Sequence, residues 1–326
     1  MNTTAKKILD YINRKGQVTA NELVEFLDIS RQALFKHYLS KMINNQTLIK
    51  IGRPPKVFYS LNKSSEAPQL KISLDRDVKK LINDNYLIIT PAGEKKEGLA
   101  GFIYWCQKNN LPLEKTAAEY LKTLAYYKKY KKNGLIAGLS KLKNSFPKIN
   151  LDKIFYLDFY SIERFGKTKL GQLLLYAKQS QNKALIKELI VEIKPSIDKI
   201  IKKYKIDGLG YIPPTVKRET QLMKVLEKGL GEDIRKVKIS KIKTAVAVPQ
   251  KTLNKLSDRI ENAKNTIVVE ENSVFKNILI IDDAVGSGAT LNEVAKKIRD
   301  KGLCRGNIIG LALTGSFKGF DIISEV

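Results

Sequence analysis

The chain has 326 residues and carries 59 Lys and Arg against 33 Asp and Glu, a formal net charge of +26. This length suits about two or three domains, and the charge favours nucleic acid or another polyanion as a partner, although a lysine-rich proteome would explain part of it. No apolar stretch approaches the roughly 20 residues that span a bilayer, and two isolated cysteines (Cys106 and Cys304) predict a reducing cytoplasm without disulfides or zinc.

Residues 1–62 predict a small domain of three helices followed by a β-hairpin. The first helix is amphipathic and is not a signal peptide, Thr19 and Glu22 form a capping box that begins the second, and Ser30 caps the third. Apolar alternation in LIKIGRPPKVFYSL, residues 48–61, predicts two strands joined by a basic turn. This order resembles a winged helix-turn-helix, which would form an N-terminal DNA-binding domain.

In the winged helix-turn-helix geometry, the third helix enters the major groove of double-stranded DNA through its N-terminal residues. The resemblance therefore implies DNA contacts from Arg31, Gln32, Lys36 and His37 on that helix, and from Arg53 and Lys56 at the tip of the hairpin. These residues are basic or polar, which favours DNA over a protein partner, the alternative use of this fold. The only histidine is interpreted as solvated or DNA-facing and not as a catalyst.

Residues 70–150 follow a linker rich in Ser and Pro and are predicted to be mainly helical, with no recognisable chemistry. One predicted helix interleaves tyrosines with lysines: Tyr120, Tyr126, Tyr127 and Tyr130 with Lys122, Lys128, Lys129, Lys131 and Lys132. Aromatic side chains among lysines can stack nucleic-acid bases. A helix with a buried tyrosine side and a solvated lysine side is the simpler interpretation, and the sequence favours it.

From residue 151 onward, predicted strands and helices alternate, which is the order typical of a parallel α/β sheet. The predicted strands are 208–212, TAVAVPQ at 244–250, 278–281 and 308–315. In an open parallel sheet, ligand sites form beyond the carboxyl ends of the strands. The first strand ends in PPTVKR at 213–218, a tight turn with two cations that would suit a departing pyrophosphate.

The stretch ILIIDDAVGSGAT at 278–290 carries the strongest signal in the chain. Four apolar residues predict a strand buried on both faces, Asp282 and Asp283 follow, and small residues lead to Thr290 at the start of an amphipathic helix. Small residues let a backbone approach a ligand, and a helix N-terminus favours a phosphate. The two acids suit the vicinal hydroxyls of a ribose and a divalent cation. A βα turn that is merely rich in glycine is the simpler alternative.

ILIIDDAVGSGAT resembles the phosphoribosyl-pyrophosphate (PRPP) loop of type I phosphoribosyltransferases. The resemblance implies an α/β fold over residues 151–326, a type I phosphoribosyltransferase-like parallel sheet with flanking helices, preceded by the winged helix-turn-helix domain. It assigns Asp282 and Asp283 as catalytic residues that bind the ribose and, indirectly, the Mg²⁺ that accompanies PRPP. It implies a 5-phosphate site at Ala284, Val285, Gly286, Ser287, Gly288, Ala289 and Thr290, and a pyrophosphate site at Pro214, Thr215, Lys217 and Arg218.

The order of the motifs narrows the resemblance to the competence-associated ComF-type phosphoribosyltransferases, over about residues 155–326. In VPQKTLNKLSDRIENA at 248–263, a Gln–Leu–Arg–Asn pattern of that family falls on Gln250, Leu253, Arg259 and Asn262. Gln250, Lys251 and Arg259 are accordingly predicted on a mobile loop that closes the site. The winged helix stands where this family has a cysteine-rich zinc module, and KRETQLM at 217–223 stands where it has an arginine-rich segment.

These motifs leave three functions open. The first is an enzyme that transfers the phosphoribosyl group of PRPP to a nitrogen nucleophile with Mg²⁺. The second is a DNA-bound regulator whose phosphoribosyltransferase-like domain senses PRPP or a nucleotide, by fold-level analogy with purine repressors. The third is an accessory protein of DNA uptake, as the ComF resemblance implies. A homodimer is compatible with each of them.

Overall fold

The computed structural model describes residues 3–62, 74–143, 146–216, 218–230, 233–242 and 244–317, and within these ranges the side chains of Thr3, Arg53, Lys141 and Lys251 are left out. The prediction for Lys217, and those for the side chains of Arg53 and Lys251, therefore lie outside the described residues. The chain divides into two compact units, Met1–Ser73 and Leu74–Val326. In the described part of the chain, no helix combines the length and the apolar character that a bilayer crossing requires.

The first unit contains a short three-stranded antiparallel sheet and the predicted helices. Its elements are α1 (Thr3–Lys15), β1 (Gln17–Val18), α2 (Ala20–Leu27), α3 (Arg31–Ala33), a π-helical segment (Leu34–Leu39), α4 (Ser40–Asn44), β2 (Leu48–Arg53) and β3 (Lys56–Leu61). The segment from α3 to α4 is helical without a break, and β3 lies between β1 and β2 in the sheet.

Local caps and one apolar cluster hold the first unit together. The capping box at Thr19 and Glu22 is confirmed, since the Glu22 carboxylate accepts hydrogen bonds from the Thr19 amide and hydroxyl while the Thr19 hydroxyl accepts from the Glu22 amide. Ser30 accepts a hydrogen bond from the Ala33 amide at 3.2 Å and so begins α3, as predicted. The buried core is Ile8, Ile12, Val18, Ala20, Leu23, Leu34, Leu39, Met42, Leu48 and Tyr59. The helices and the hairpin therefore share a single core.

The second unit is a mixed α/β fold around a large, mostly parallel sheet. Its helices are α5 (Arg76–Asn85), α6 (Gly98–Lys108), α7 (Leu113–Lys128), α8 (Leu139–Lys143), α9 (Lys169–Ser180), α10 (Lys183–Tyr204), α11 (Leu222–Gly229), α12 (Leu256–Thr266) and α13 (Ala289–Asp300). Its strands are β4 (Leu87–Ile89), β5 (Lys95–Glu97), β6 (Lys131–Lys132), β7 (Leu135–Ala137), β8 (Lys153–Phe159), β9 (Gly208–Tyr211), β10 (Arg235–Val237), β11 (Ile239–Lys241), β12 (Ile267–Val269), β13 (Ile278–Val285) and β14 (Ile308–Gly315).

Seven strands form the central sheet in the order β10-β9-β13-β14-β8-β7-β6. The five strands from β10 to β8 are parallel, and the hairpin of β6 and β7 adds an antiparallel edge. At its centre, β13 alternates its side chains between two apolar clusters, Ile278 and Ile280 on one face and Leu279 and Ile281 on the other. All four are fully buried, as the continuous apolar run predicts.

Residues 74–150 belong to the same compact unit as the sheet. Their hairpin, β6 and β7, pairs with β8, and Phe102 of α6 and Tyr120 of α7 are buried in the same cluster as Ile278. The tyrosine-rich helix is two-sided. Tyr120 and Tyr127 are buried, whereas Tyr126 and Tyr130 are exposed and make edge contacts with Phe317. Two of the four tyrosines, Tyr120 and Tyr127, therefore form the predicted buried side.

The strand predicted at residues 244–250 is wrong. Val246 is 73 % exposed, and the Thr244 hydroxyl donates a hydrogen bond to the Val246 carbonyl at 2.7 Å, which closes a local bend. Alternating apolar residues form a strand only where a neighbouring strand and an apolar layer receive them. The preceding strand, β11, instead pairs with β12 in a separate two-stranded sheet, and the chain leaves it before the predicted segment.

Candidate ligand-binding site

The candidate site is a cleft at the carboxyl ends of β9 and β13, which are adjacent parallel strands. The cleft has a volume of about 220 Å³. Its lining combines the proline turn, the acid pair and the glycine-rich loop: Pro213, Pro214, Thr215, Val216 and Arg218, then Asp282 and Asp283, then Ala284 to Leu291. Residues about 70 positions apart in the sequence meet here because parallel neighbours end at the same edge of a sheet.

The glycine-rich loop is short because β13 continues past the acids. Asp282 pairs with Ala312 and Val285 with Gly315 of β14, so only Gly286, Ser287 and Gly288 remain between strand and helix. Gly288 caps α13 with a φ of 75°, a left-handed conformation that favours glycine. The helix therefore begins at Ala289, one residue before the predicted Thr290. Its first amide groups lack intrahelical partners and can bind an anion.

The two acids differ in their surroundings. The Asp282 side chain accepts a hydrogen bond from the Asp283 amide at 2.8 Å, and Asp283 forms an ion pair with Lys178. Although Asp282 is only half-buried by surface exposure, it lies deep among protein atoms, and this burial together with the charge of Asp283 raises its pKa to about 8. The nearby Lys178 and Lys241 oppose that rise. Asp282 is therefore the group in the cleft whose charge is least favoured.

Two lysines in the cleft are functional candidates that the sequence analysis missed. Lys178 comes from the C-terminal half of α9, and Lys241 ends β11. The Lys241 ammonium donates a hydrogen bond to the Thr215 hydroxyl at 2.7 Å, and burial lowers its pKa while Asp282 opposes the change. Both lysines lie in stretches with many other lysines, so no local signal separates them from surface residues.

The proline turn lies against α9 as well as against the cleft. Pro214 and Thr215 line the cleft, as predicted for a pyrophosphate site. Arg218 also lines it, but its guanidinium donates hydrogen bonds to the Lys178 carbonyl at 2.5 Å and to the Gln179 side chain at 3.1 Å. In this structure the Arg218 guanidinium is thus hydrogen-bonded to the C-terminal end of α9.

Gln250 and Arg259, predicted on a mobile loop, lie in a short helical turn and in α12, respectively. Arg259 lies within α12 and is 6 % exposed, and its Nε donates a hydrogen bond to the Leu253 carbonyl at 2.8 Å. The Gln250 amide donates hydrogen bonds to the Arg259 carbonyl at 2.9 Å and to the Asn262 side chain at 3.2 Å. Both residues line the cleft, and these hydrogen bonds connect the turn that contains Gln250 and Leu253 to α12.

The acid pair fits a magnesium ion only in part. Among the described residues, no group of three or more His, Cys, Asp or Glu side chains is placed to hold a metal ion. Asp282 and Asp283 offer carboxylate oxygens, the ligands that Mg²⁺ prefers, but Asp283 is paired with Lys178. Such an ion would therefore take most of its ligands from a bound phosphorylated molecule and from water.

Five of the six predicted DNA-contacting side chains, all except that of Arg53, lie among the described side chains and are on the surface of the first unit. Arg31, Gln32, Lys36 and His37 are exposed on the helical segment that begins at α3, and Lys56 is exposed at the start of β3. The Arg31 guanidinium donates a hydrogen bond to Asn21 at 3.1 Å and lies 5.9 Å from the centre of the Phe35 ring. The helix thus presents a polar, basic surface at its N-terminal end.

Comparisons with known proteins add limited information. A scan against protein-family models gives no match, and neither does a search of the curated proteins. Among solved structures, the chain is similar to a crystal structure of adenine phosphoribosyltransferase, with 15 % identity and a TM-score of 0.29 over 45 % of this chain and 78 % of that one. It is also similar to an adenine phosphoribosyltransferase from Leishmania tarentolae, with 12 % identity and a TM-score of 0.26 over 55 % and 97 %. At these TM-scores the similarity establishes neither the family nor an activity.

Proposed function

We propose that the second unit is a type I phosphoribosyltransferase-like domain that binds a 5-phosphoribosyl ligand, PRPP or a nucleotide, in the cleft between β9 and β13. The observation that carries the proposal is the convergence of three sequence motifs on one cleft. A helix N-terminus, two carboxylates and a proline turn line it together, and they match the phosphate, the ribose hydroxyls and the pyrophosphate of PRPP.

In the proposed complex, the 5-phosphate lies over the loop from Gly286 to Gly288 and the first turn of α13. The ribose hydroxyls donate hydrogen bonds to Asp282 and Asp283, and the pyrophosphate lies near Thr215. Mg²⁺ would enter with PRPP and neutralise part of its charge. Departure of pyrophosphate leaves a cationic ribose for a nitrogen nucleophile to attack, so positioning and charge stabilisation suffice without a nucleophilic side chain.

The loop can be tested with one substitution and a matched control. Gly286 is half-buried at the start of the loop and lines the cleft, so Gly286→Glu would bring a carboxylate against the 5-phosphate. We expect isothermal titration with PRPP and Mg²⁺ to show binding to the wild type and a loss of at least about 100-fold in Gly286→Glu, because opposed like charges cost several kcal/mol.

Gly286→Ala is the control, since it adds a side chain of one carbon without a charge. It should bind PRPP within a few-fold of the wild type. Equal binding by Gly286→Glu and the wild type would refute the phosphate site, and a wild type that binds no PRPP would refute the proposal as a whole.

We further propose that the first unit is a winged helix-turn-helix that binds double-stranded DNA. Support comes from the exposed basic residues at the N-terminal end of the α3 segment and from the chain's net charge of +26. Arg31→Ala with Lys36→Ala should abolish retardation of a DNA duplex at low salt, because it removes two cations that would contact the DNA.

Lys6→Ala with Lys7→Ala is the matched control for the DNA experiment. Both lysines are exposed on α1, outside the α3 segment, and the pair removes the same two charges. An equal loss in both double variants would mean that DNA binds through net charge alone. Unchanged retardation in Arg31→Ala with Lys36→Ala would contradict the winged-helix assignment.

Turnover separates a ComF-like transferase from a PRPP-sensing regulator. Pyrophosphate release from PRPP, measured over a panel of nucleobases and amines, is expected for the enzyme. Retained PRPP binding with no release across the panel would favour the sensor, and the DNA experiment repeated with PRPP would then show whether the ligand changes DNA affinity. A DNA-uptake accessory is favoured if DNA binding is independent of PRPP.

A further inference from the structure

The cleft contains two ammonium groups that come from outside the motifs of the proposed phosphoribosyl site. Lys178 of α9 forms an ion pair with Asp283, and Lys241 of β11 donates its hydrogen bond to Thr215. Each lysine thus lies beside a group assigned to a different end of PRPP. Lys178 pairs with the acid assigned to the ribose, and its backbone accepts a hydrogen bond from Arg218 of the pyrophosphate segment; Lys241 contacts Thr215 of that segment.

The Lys178–Asp283 pair is largely withdrawn from solvent, with side-chain exposures of 23 % and 15 %. Removing two charges from water costs free energy that their mutual attraction only partly recovers, so such a pair is weak evidence for a stabilising role. The apolar side of α9 is buried through Leu170, Leu173, Leu174 and Ala177, which do not include the pair. A role toward a ligand in the cleft is therefore the better explanation.

The position of Lys178 is set by the proline turn. Arg218, which follows that turn, donates its hydrogen bonds to the Lys178 carbonyl and to the neighbouring Gln179. The end of α9 is thus tied to the segment proposed to hold pyrophosphate. Lys178 lines the cleft, and its ammonium is a point charge with three donors on a flexible stem, so it can exchange one anionic partner in the cleft for another.

We propose that Lys178 determines specificity for the pyrophosphate end of the ligand: its ammonium leaves Asp283 for a pyrophosphate oxygen when PRPP binds, and so releases Asp283 for the ribose hydroxyls. This inference rests on the proposed function of the cleft and assigns to it a preference for PRPP over ribose 5-phosphate. Lys241 holds Thr215 of the turn in place and is a positioning residue.

The test compares two ligands that differ only at the pyrophosphate end. PRPP and ribose 5-phosphate are titrated separately, with Mg²⁺, into the wild type and Lys178→Gln. We expect Lys178→Gln to lose at least about 10-fold in PRPP affinity, the value of one charge-assisted hydrogen bond, and to bind ribose 5-phosphate as well as the wild type or more tightly. Lys178→Arg keeps the charge and should retain the preference for PRPP.

Lys169→Gln is the matched control, because Lys169 lies on the same helix and carries the same charge. It pairs with Glu192 at 3.4 Å and is not among the residues that line the cleft. Its two affinities should equal those of the wild type. Together with Lys178→Arg, it shows whether any change at Lys178→Gln comes from the local charge and not from damage to α9.

Unchanged PRPP binding by Lys178→Gln overturns the inference and leaves the proposed function intact. An equal loss for both ligands also overturns it, since Lys178 would then act on the shared phosphoribosyl part. A wild type that binds neither ligand overturns the proposed function and this inference together. A loss confined to PRPP in Lys178→Gln, with the preference kept in Lys178→Arg, supports it.

Discussion

Replacing both Asp282 and Asp283 with Asn is expected to weaken PRPP binding by at least about 100-fold, because two hydrogen bonds from ribose hydroxyls to carboxylates are worth about 3–6 kcal/mol together. Inorganic pyrophosphate should bind as well as before or more tightly. At neutral pH the double substitution removes the charge of Asp283, and above about pH 8 that of Asp282 as well, from a cleft that contains Lys178 and Lys241, so simple electrostatics would attract any anion more strongly. Opposite changes for the two ligands would therefore identify direct contact with the ribose.

The measurement is isothermal titration of both ligands in the presence of Mg²⁺. Asp198→Asn with Asp300→Asn is the control, since replacing these exposed acids removes at least as much negative charge at sites outside the cleft lining. The control should bind both ligands like the wild type. Tighter binding of PRPP and pyrophosphate alike by the Asp282 and Asp283 double variant would show that the acids only repel anions.

The second large effect concerns how the free energy of unfolding depends on pH. Asp282→Asn is expected to stabilise the ligand-free protein, and the gain should grow as the pH rises from about 4 to about 8 and then level off. The cause is the raised pKa of Asp282, which lies near 8 in the folded chain against an ordinary value of 3.8. Between these values the folded state holds a proton that the unfolded state has released, so the wild type loses stability with rising pH.

Asn cannot ionise, so Asp282→Asn does not lose stability in this way as the pH rises. The difference in unfolding free energy between Asp282→Asn and the wild type should therefore increase by at most about 1.4 kcal/mol per pH unit, and reach about 2 kcal/mol or more at pH 8. Thermal or urea unfolding at several pH values measures it. Titrating groups that do not interact with Asp282 are common to both proteins and cancel in the difference.

Asp283→Asn provides the opposite control for the pH experiment. It leaves Lys178 in the cleft without its carboxylate partner and should destabilise the protein. It also removes the second cause of the raised Asp282 pKa, so stability should depend less on pH than in the wild type. A difference between Asp282→Asn and the wild type that stays constant from pH 4 to 8 would contradict the raised pKa.

Features encoded in contiguous residues were predictable from the sequence. The run Ile278 to Ile281 forms a strand buried on both faces, and the following small residues end in a helix that begins one residue before its predicted start. Thr19 and Ser30 cap their helices as expected. In each case, neighbours within four or five positions supply the hydrogen bonds or the apolar period that decides the structure.

Features that depend on distant partners were not predictable. The segment at 244–250 has the alternation of a strand but pairs with no strand among the described residues. The short hairpin of β6 and β7 joins the central sheet because β8 offers it a free edge. Arg259 is fixed in α12 by contacts with Leu253 and Gln250 and not carried on a loop. Strand pairing and burial are decided by the whole fold and not by local propensity.

By itself, the sequence determined the parts of the candidate site: a glycine-rich loop before a helix, two acids after a buried strand, and a proline turn after another. Only the tertiary structure decided that these parts share one cleft and that Lys178 and Lys241 complete it. The physical reason is that a phosphate loop is made by consecutive residues, whereas the charge balance of a cleft is made by whichever side chains the sheet and its helices bring to one edge.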